Sequence, residues 1–394
     1  MGTRTNKVHF GKIDRFQGAK IGNYESKNGK YIKSGNDNKF PQKLIELYNE
    51  SSIHNSCIKA ITEAIIGGGL TTEEGSQLDK ANRKESWNDI FSKVTMDYYL
   101  HGSFALEIIW SKDRSRIAEV YHIDFSHVRA HEKDYRGDIP FWYISSDWAK
   151  YGSVHVDKGN VVCLPTFDPN NRQEEPNQLF VMETYSPGQE VYPLPTYVGA
   201  LKTISLDISV DTFHLANINN GLAPSMMITT FTNGSDDEVE ATEQMLRANY
   251  GGTANAGSLI YLDVDSRENM PEITPIPQNG ADGYYQTIGD IVTQKVLTAH
   301  RITSPLLLGI QQPGSLGNRN EMIDAFLLFQ HNVIEPLQQD ILRQLEYILE
   351  YNYPGITIGV ETSMLFEDGE TVEEVVTSVE TTGEEDTEIQ ETIE

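Results

Sequence analysis

The sequence predicts an α+β protein, and three observations support this fold class. Apolar residues recur at helical spacing in several long segments, whereas the stretch from Phe104 to Val162 carries short β-rich pieces separated by turn residues. A second strand-bearing stretch, residues 222–277, lies between two of the helical segments. The 394 residues, of which 38% are hydrophobic, can bury a sizeable core. This length favours two or three domains rather than one.

The net charge of -27 is concentrated near the end of the chain. Residues 361–394 hold 13 Asp and Glu and no Lys or Arg, so residues 1–360 carry 31 basic against 45 acidic side chains. This acidic balance argues against a protein that grips nucleic acid by neutralising its phosphates. The first 40 residues differ, because they hold nine Lys and Arg against three Asp and Glu. They are expected to form a flexible basic arm.

The cysteine count and the hydropathy pattern bear on the compartment. Cys57 and Cys163 are too few for a disulfide framework and indicate synthesis in a reducing cytoplasm. The opening MGTRTNKVHF is followed by no apolar segment of the kind that a secretion signal needs, and no run approaches the roughly 18 apolar residues of a membrane span. The sequence therefore predicts a soluble protein.

Two helices and a sheet are expected in the first half of the chain. Apolar residues from Leu44 to Ile65 fall on one helical face, and Gly67 to Gly69 end that segment. A second helix is expected from about Lys80 to Tyr99. The pieces FALEIIW, IAEVYHI, HVRAHE, FWYIS and NVVCL follow it, and they predict a mixed sheet packed on the two helices.

Long helices and a small insert are expected in the second half. A helix is predicted from about Thr196 to Asn220, with Gly221 as its left-handed C-cap. Residues 222–277 are predicted to fold as strand, helix, strand and strand, with Ser235 as the helix N-cap. A further long helix is expected from about Gly283 to Arg301.

Prolines and glycines then interrupt the pattern. Pro305 and Pro313 exclude a continuous helix in ITSPLLLGIQQPGSLGNRN, so a loop is predicted there. The last helix is expected from about Asn320 to Leu349, with a kink near Pro336. Beyond Pro354 the acidic sequence predicts disorder or a polar extension.

Three local sequences carry further information. These are FHLANINNGLAPSMMI at the end of the first long helix, YGGTANAGSLIYLDV in the insert, and VLTAHRITSPLLLGI where the next helix breaks. Together with the order of the elements, they resemble the portal proteins of tailed bacteriophages. The resemblance covers about residues 195–350 well, residues 41–194 only loosely, and the acidic end not at all. The family often has a valine and a proline pair where this chain has Ile302 to Pro305.

The resemblance implies a portal-like fold with a mixed α/β wing, two long stem helices that flank a small α/β clip, and a long C-terminal helix. Its implied boundaries are a basic arm (1–40), the wing (41–195), a stem helix (196–221), the clip (222–278), a second stem helix (279–302), a channel loop (303–320), a long wing or crown helix (321–353) and an acidic tail (354–394).

The resemblance also implies a function and a set of partners. Portals form a ring, of about twelve subunits in the virion, at one capsid vertex, where the ring is the channel for genome packaging and ejection. The implied partners are other copies of the chain, the major capsid protein and scaffold, the large terminase, head-tail adaptor or neck proteins, and double-stranded DNA that passes without sequence specificity. No membrane partner is implied. The implied location is the virion, after synthesis in the cytoplasm of a bacterial host.

Three groups of residues follow from this resemblance. The channel loop would present small, neutral polar side chains and one cation to DNA, which allows only transient bonds to phosphates and suits sliding. The loop residues are Gln311, Gln312, Ser315, Asn318 and Arg319. The carboxylates expected to line the channel and repel the DNA backbone are Asp207, Asp211, Asp282 and Asp290. The expected docking surface of the clip is Met226, Arg247, Tyr250 and Tyr261.

Other classes of protein stay open at this point. A head-tail adaptor or tail protein is another ring or tube component of a virion, although an insert between two long helices would be unexpected there. A cytosolic hydrolase with an unrecognised site is a third class. Residues 309–320 could also be a plain interhelical loop.

No enzyme, cofactor or metal site is predicted. The sequence has no G-x-S-x-G, H-E-x-x-H, Walker A or paired-cysteine motif, and YGGTANAG lacks the GK[ST] of a phosphate-binding loop. His122, His127 and His131 with Asp124 are the nearest approach to a metal-binding pattern. The segment HIDFSHVRAH is expected to be strand, turn and strand, so that His122 and His131 do not converge.

Overall fold

Helices and strands alternate in a mixed α/β arrangement in the part of the chain that the computed structural model describes. These are residues 23–25, 31–72, 78, 80–148, 161–219, 224–230, 240–241, 258–263, 281–302, 305 and 325–361. The α-helices are α1 Phe40–Glu50, α2 Ser52–Ile66, α3 Trp87–His101, α4 Leu201–Asn219, α5 Ala281–Ala299 and α6 Glu335–Leu349.

The strands are short and form five small sheets within these described ranges. They are β1 Asn23–Glu25, β2 Ile32–Ser34, β3 Leu70–Thr72, β4 Ala105–Trp110, β5 Ile117–Ile123, β6 Val128–Ala130, β7 Phe141–Ile144, β8 Val162–Pro165, β9 Asn177–Val181, β10 Pro224–Thr230, β11 Ser258–Asp263 and β12 Ile358–Val360. The sheet orders are β5-β4-β9, β6-β7-β8, β1-β2, β12-β3 and β10-β11. Of these pairings only β10 with β11 is parallel.

The first predicted helix is two helices, because the chain turns at Ser51. Ser51 has extended backbone angles, φ -89° and ψ 117°, and its Oγ accepts a hydrogen bond of 3.2 Å from the His54 backbone N–H. It therefore ends α1 and caps α2. The stop predicted at the glycines is confirmed, since α2 ends at Ile66 and Gly67 follows with φ 52°.

Helix α3 begins later than the predicted Lys80. Ser86 is its N-cap, and the Ser86 and Asp89 side chains each bind the other residue's backbone N–H in a capping box. The helix ends at Gly102, whose φ of 84° is left-handed. Two sheets follow, as β4 pairs with β5 and β9 while β7 pairs with β6 and β8.

The main hydrophobic core takes residues from distant parts of the chain. Helices α1 to α3 contribute Leu44, Ile58, Ile61, Ile90 and Phe91 among others. Three later helices join the same core. The first turns of α4 contribute Ile204, the second half of α5 contributes Val296, and the buried face of α6 contributes Ile341, Leu345 and Ile348. This core is therefore discontinuous in sequence.

Helices α4 and α5 flank the predicted insert. A 3₁₀ turn, Val198–Ala200, precedes α4, which therefore starts later than the predicted Thr196. Helix α5 stops at Ala299, before Arg301 with its positive φ of 58°. Of the insert, strands β10 and β11 and the helical residues 240–241 are described. The predicted third strand and the caps Gly221 and Ser235 lie outside the described residues.

The segment around Pro336 has a π-helical turn, Gln330–Ile334, directly before α6. Its Glu335 backbone N–H reaches Gln330 O, one residue further back than in an α-helix. Pro336 follows this turn at the start of α6, where the missing N–H of a proline is tolerated. The kink predicted near Pro336 stays a prediction.

Residues 31–40, expected to belong to a flexible basic arm, are part of the folded body, because Tyr31 and Ile32 are buried in apolar clusters.

The boundary expected for the acidic tail at residue 354 is also wrong. Strand β12 pairs antiparallel with β3, and Ile358 is buried in the main core. The backbone of Glu361 bonds to Gly68 and Gly69, at 2.7 and 2.9 Å. Residues 354–361 therefore belong to the folded body, because their few apolar side chains have a strand and a core to join.

Candidate assembly site at the helix pair

Helices α4 and α5 pack against each other and form what is called here the helix pair. One end of the pair is buried in the main core through Leu201 and Ile204 of α4 and through Val296 and Leu297 of α5. These residues stand at the beginning of α4 and at the end of α5. The insert between the two helices therefore leaves the pair at its opposite end.

The helix pair exposes large apolar side chains away from the core. Leu206 and Leu215 of α4 are 46% and 59% exposed, and Ile291 of α5 is 48% exposed. Leu215 follows Leu206 by nine residues, which places the two side chains on opposite faces of an α-helix at 3.6 residues per turn. The Phe213 ring, also exposed, contacts the His214 ring. The pair thus exposes large apolar side chains on opposite faces.

A buried cluster of rings, the junction, fastens the helix pair to the core. His54 of α2 and His300, which follows α5, share a hydrogen bond of 2.9 Å between Nδ1 and Nε2. The Tyr99 hydroxyl of α3 lies 2.9 Å from His300 Nδ1. Tyr197, just before α4, stacks on His300 at 5.0 Å and donates its hydroxyl to Leu100 O at 2.7 Å. Four separate segments therefore meet at one polar contact inside the core.

Burial dominates the electrostatics of the junction. It lowers the pKa of His54 to about 4, and burial and the neighbouring His54 lower the pKa of His300 to about 3. Burial also raises the pKa of Tyr99 and Tyr197. All four side chains are therefore neutral at neutral pH, and the junction holds its geometry with hydrogen bonds and ring contacts rather than ion pairs.

Asp207 does not fit the role predicted for it. Its side chain is buried, at 9% exposure, and accepts a hydrogen bond of 2.7 Å from the Ser51 hydroxyl. Burial raises the pKa of this carboxyl group, and the Ser51 hydrogen bond partly offsets that shift. Asp207 lies one turn after the buried Ile204 on α4, so it faces the core. It is a contact between the helix pair and α2, and not an open carboxylate.

The other candidate residues lie in three situations. Asp211 and Asp290 are exposed on the helix pair, and Asp282 lies in α5. Met226 and Tyr261 lie on the paired strands β10 and β11. The remaining candidates lie outside the described residues, namely Arg247, Tyr250, Gln311, Gln312, Ser315, Asn318 and Arg319.

His122, His127 and His131, which the sequence singled out, do not form one site with Asp124. Asp124 instead lies near His101. Among the described residues, one ligand atom each from Asp97, His101 and Asp124 lies within 4.8 Å of the others. His122 bonds to Asp97 at 2.8 Å, while the His131 ring contacts Phe141 and Tyr143. The sequence reasoning missed Asp97 and His101, because the helix predicted to end at about Tyr99 does not include His101, whereas α3 extends to it.

Membrane insertion has no support from the helices. None of them, in the ranges that the structure describes, combines the length and the apolar character that crossing a bilayer requires. Cys57 is buried and Cys163 exposed, and both are free thiols.

The fold is shared with proteins of virus-like particles. A chain in the virion of a native gene transfer agent particle superposes with a TM-score of 0.55 at 13% identity, covering 90% of this chain and 92% of its own. A chain in the neck of the native particle, computed with C12 symmetry, gives a TM-score of 0.57 at 13% identity, with 91% of each chain covered. At this level of identity the likeness establishes a common fold.

Sequence comparison defines the family. The model of the family described as phage portal protein matches residues 75–370, which is more than half of the chain. The chain therefore belongs to the phage portal protein family, which is structural rather than enzymatic.

Two curated relatives match over part of their length. The "probable portal protein" of Haemophilus phage HP1 is 24% identical over 195 residues, which cover 48% of this chain and 56% of that protein. The "probable portal protein" of Escherichia phage P2 is 22% identical over 253 residues, which cover 64% and 65% of the two chains. The chain thus matches less than two thirds of the length of either relative.

Proposed function

We propose that the chain forms a closed ring at one vertex of a phage capsid and that this ring is the channel for genome packaging and ejection. The observation that carries the proposal is the helix pair, which is fixed at one end in the core and exposes Leu206 and Leu215 on opposite faces. In a cyclic ring each subunit touches two neighbours through two different surfaces. Apolar contacts on opposite faces meet that requirement.

The channel wall would include the exposed carboxylates of the helix pair. Asp211 and Asp290 are available to solvent, and negative charge on the wall repels phosphates and keeps DNA mobile. Asp282 and the loop residues 309–320 belong to the same proposal on the strength of family membership. Asp207 is excluded from it by its burial.

Docking of other proteins is assigned to the two ends of the subunit. The insert, proposed as the clip at residues 222–278, leaves the helix pair at the end remote from the core, where it would meet the large terminase and later the adaptor or neck proteins. The wing, with the main core, would contact the major capsid protein and scaffold. The chain would then be synthesised in the bacterial cytoplasm and reside in the virion.

The proposal is tested by the mass and symmetry of the purified protein. We expect native mass determination and negative-stain class averages to give a ring of about twelve subunits with a central hole. Leu206→Glu and Leu215→Glu should each shift the population towards monomers, because a carboxylate would be buried at a subunit contact. Tyr135→Glu is the control, since Tyr135 is 88% exposed on the β6–β7 hairpin, away from the helix pair.

Two results would count against the proposal. One is a wild-type chain that stays monomeric even when it is co-expressed with its capsid and scaffold proteins. The other is a ring that tolerates both leucine substitutions as well as it tolerates Tyr135→Glu.

A further inference from the structure

We propose that Asp97, His101 and Asp124 form a binding site for a divalent transition-metal cation of the Zn²⁺ type. Asp97 and His101 lie one turn apart on one face of α3, and Asp124 is the N-cap of the 3₁₀ turn Phe125–His127 that follows β5. Each residue offers one ligand atom, and these three atoms lie within 4.8 Å of one another. The site is separate from the helix pair and its function.

The unpartnered imidazole of His101 is the observation that points to a ligand. His101 is 3% exposed, and its Nδ1 has no hydrogen-bond partner. An unpaired nitrogen in the core costs free energy unless something binds to it. Burial lowers the pKa of His101 against the opposing effect of Asp97 and Asp124, so the imidazole is held in the neutral form that binds metals. The neighbouring Arg129 cannot fill the gap, because its donors bind Asn38, Gln42 and the carbonyls of Ser126 and Val128.

Hydrogen bonds hold the two carboxylates in place. Asp97 Oδ2 accepts from the Phe125 backbone N–H at 2.9 Å and lies 2.8 Å from His122 Nε2, while Asp124 Oδ1 accepts from the Ser126 backbone N–H at 2.8 Å. A divalent cation held by both carboxylates would be balanced by their two negative charges, with the imidazole as a neutral ligand. His122, which bonds to Asp97 and is not itself a proposed ligand, would then orient Asp97 towards the ion, as the outer partners of metal ligands do.

The donor set selects the class of ion. An imidazole nitrogen with carboxylate oxygens suits Zn²⁺, Co²⁺ or Mn²⁺, whereas Ca²⁺ and Mg²⁺ prefer oxygen alone. In a tetrahedral site, ligands about 2.1 Å from one Zn²⁺ lie about 3.4 Å apart, so the three ligand atoms would need to approach one another by up to about 1.4 Å. The bound ion would tie the end of α3 to the turn after β5, with water completing its coordination.

The experiment uses the untagged full-length chain, stripped with EDTA and titrated with Zn²⁺ in excess Mg²⁺. Excess Mg²⁺ blocks weak binding to the many surface carboxylates. We expect one Zn²⁺ per chain by calorimetry, a rise in Tm on binding, and a visible Co²⁺ spectrum that indicates nitrogen and oxygen ligands.

The variants separate this site from general binding. Asp124→Asn keeps an oxygen for Ser126 but removes a charge, and we expect it to weaken Zn²⁺ binding by at least about tenfold, as His101→Gln should. His331→Gln is the control, because His331 is exposed and pairs with Glu335 on another helix. Wild-type affinity in folded Asp124→Asn, or no stoichiometric Zn²⁺ in the wild type, would overturn the proposal. If His101→Gln fails to fold, Asp124→Asn still decides it.

Discussion

His54 and His300 stand 246 positions apart in the sequence, yet their imidazoles share a 2.9 Å hydrogen bond between Nδ1 and Nε2. One of these nitrogens must carry the proton and the other must accept it. The bond therefore survives only while at most one of the two rings is charged, since two imidazolium rings would oppose N–H to N–H.

The first prediction concerns the pH dependence of stability. The folded pKa values, about 4 for His54 and about 3 for His300, lie below the ordinary 6.5. As the pH falls below about 6.5, the two histidines bind protons in the unfolded chain but not in the folded chain. The free energy of unfolding therefore decreases by up to about 1.4 kcal/mol per pH unit for each ring. Full stability is present above that pH.

Urea unfolding at fixed protein concentration between pH 7 and pH 5 measures this slope. His300→Gln removes one titrating ring and should flatten the slope by up to about 1.4 kcal/mol per pH unit, most strongly near pH 5. The exposed His331→Gln should leave it unchanged. An identical slope in wild type and His300→Gln would show that the junction does not govern the acid response.

The second prediction concerns Ser51. Its hydroxyl both caps α2 and donates to Asp207 at 2.7 Å, so Ser51→Ala removes a cap and leaves a buried carboxylate without its donor. We expect a loss of about 2 kcal/mol in the free energy of unfolding, measured by chemical denaturation. Ser52→Ala, at the adjacent exposed position, should cost much less. Equal costs for the two serines would contradict the link between α2 and α4.

The third prediction concerns Gly102 at the end of α3. A Cβ there would lie 2.8 Å from Leu194 O, in addition to the strain of φ 84°. Gly137 has a similar φ of 90° but open space around it. Gly102→Ala should therefore cost about 3 kcal/mol and Gly137→Ala about 1 kcal/mol, and the difference measures the close approach alone. Equal thermal shifts would mean that the backbone moves away at no cost.

The fourth prediction concerns DNA movement and rests on the proposed function. Asp211→Lys and Asp290→Lys should slow packaging in an in vitro assay at low salt, because each replaces a repelling charge by one that binds phosphate. Raising the salt concentration should restore the rate, since screening weakens both effects. Glu132→Lys, exposed on the β6–β7 hairpin, is the control. Packaging that is insensitive to all three would mean that the helix pair does not line the path of DNA.

The sequence predicted the end of the first helical segment because its stop is a local signal. Gly67 acts on the residues beside it, so its effect is visible without a structure. The break at Ser51 was missed because the apolar spacing continues from α1 into α2. A serine that caps a helix is not distinguished by pattern alone from a serine on its surface.

Contacts between distant segments could not be predicted in this way. Strand β12 has three residues, and its pairing with β3 depends on a partner strand that lies 286 to 290 residues earlier in the sequence. Asp97 and His101 lie one turn apart on α3 because this helix extends past its predicted end at Tyr99, and the approach of Asp124 depends on how α3 packs against the turn after β5. The burial of Asp207 likewise follows from the position of Ser51, which no spacing on α4 reveals.

The discontinuous core has a consequence for the order of events on the ribosome. Ile341, Leu345 and Ile358 complete a core whose other half, around Ile58 and Phe91, emerges more than 200 residues earlier. In the nascent chain the apolar faces of the first helices therefore stay partly exposed to solvent while the helix pair and the insert are translated. Release of the last segment closes the core, so each subunit matures only near the end of its own synthesis.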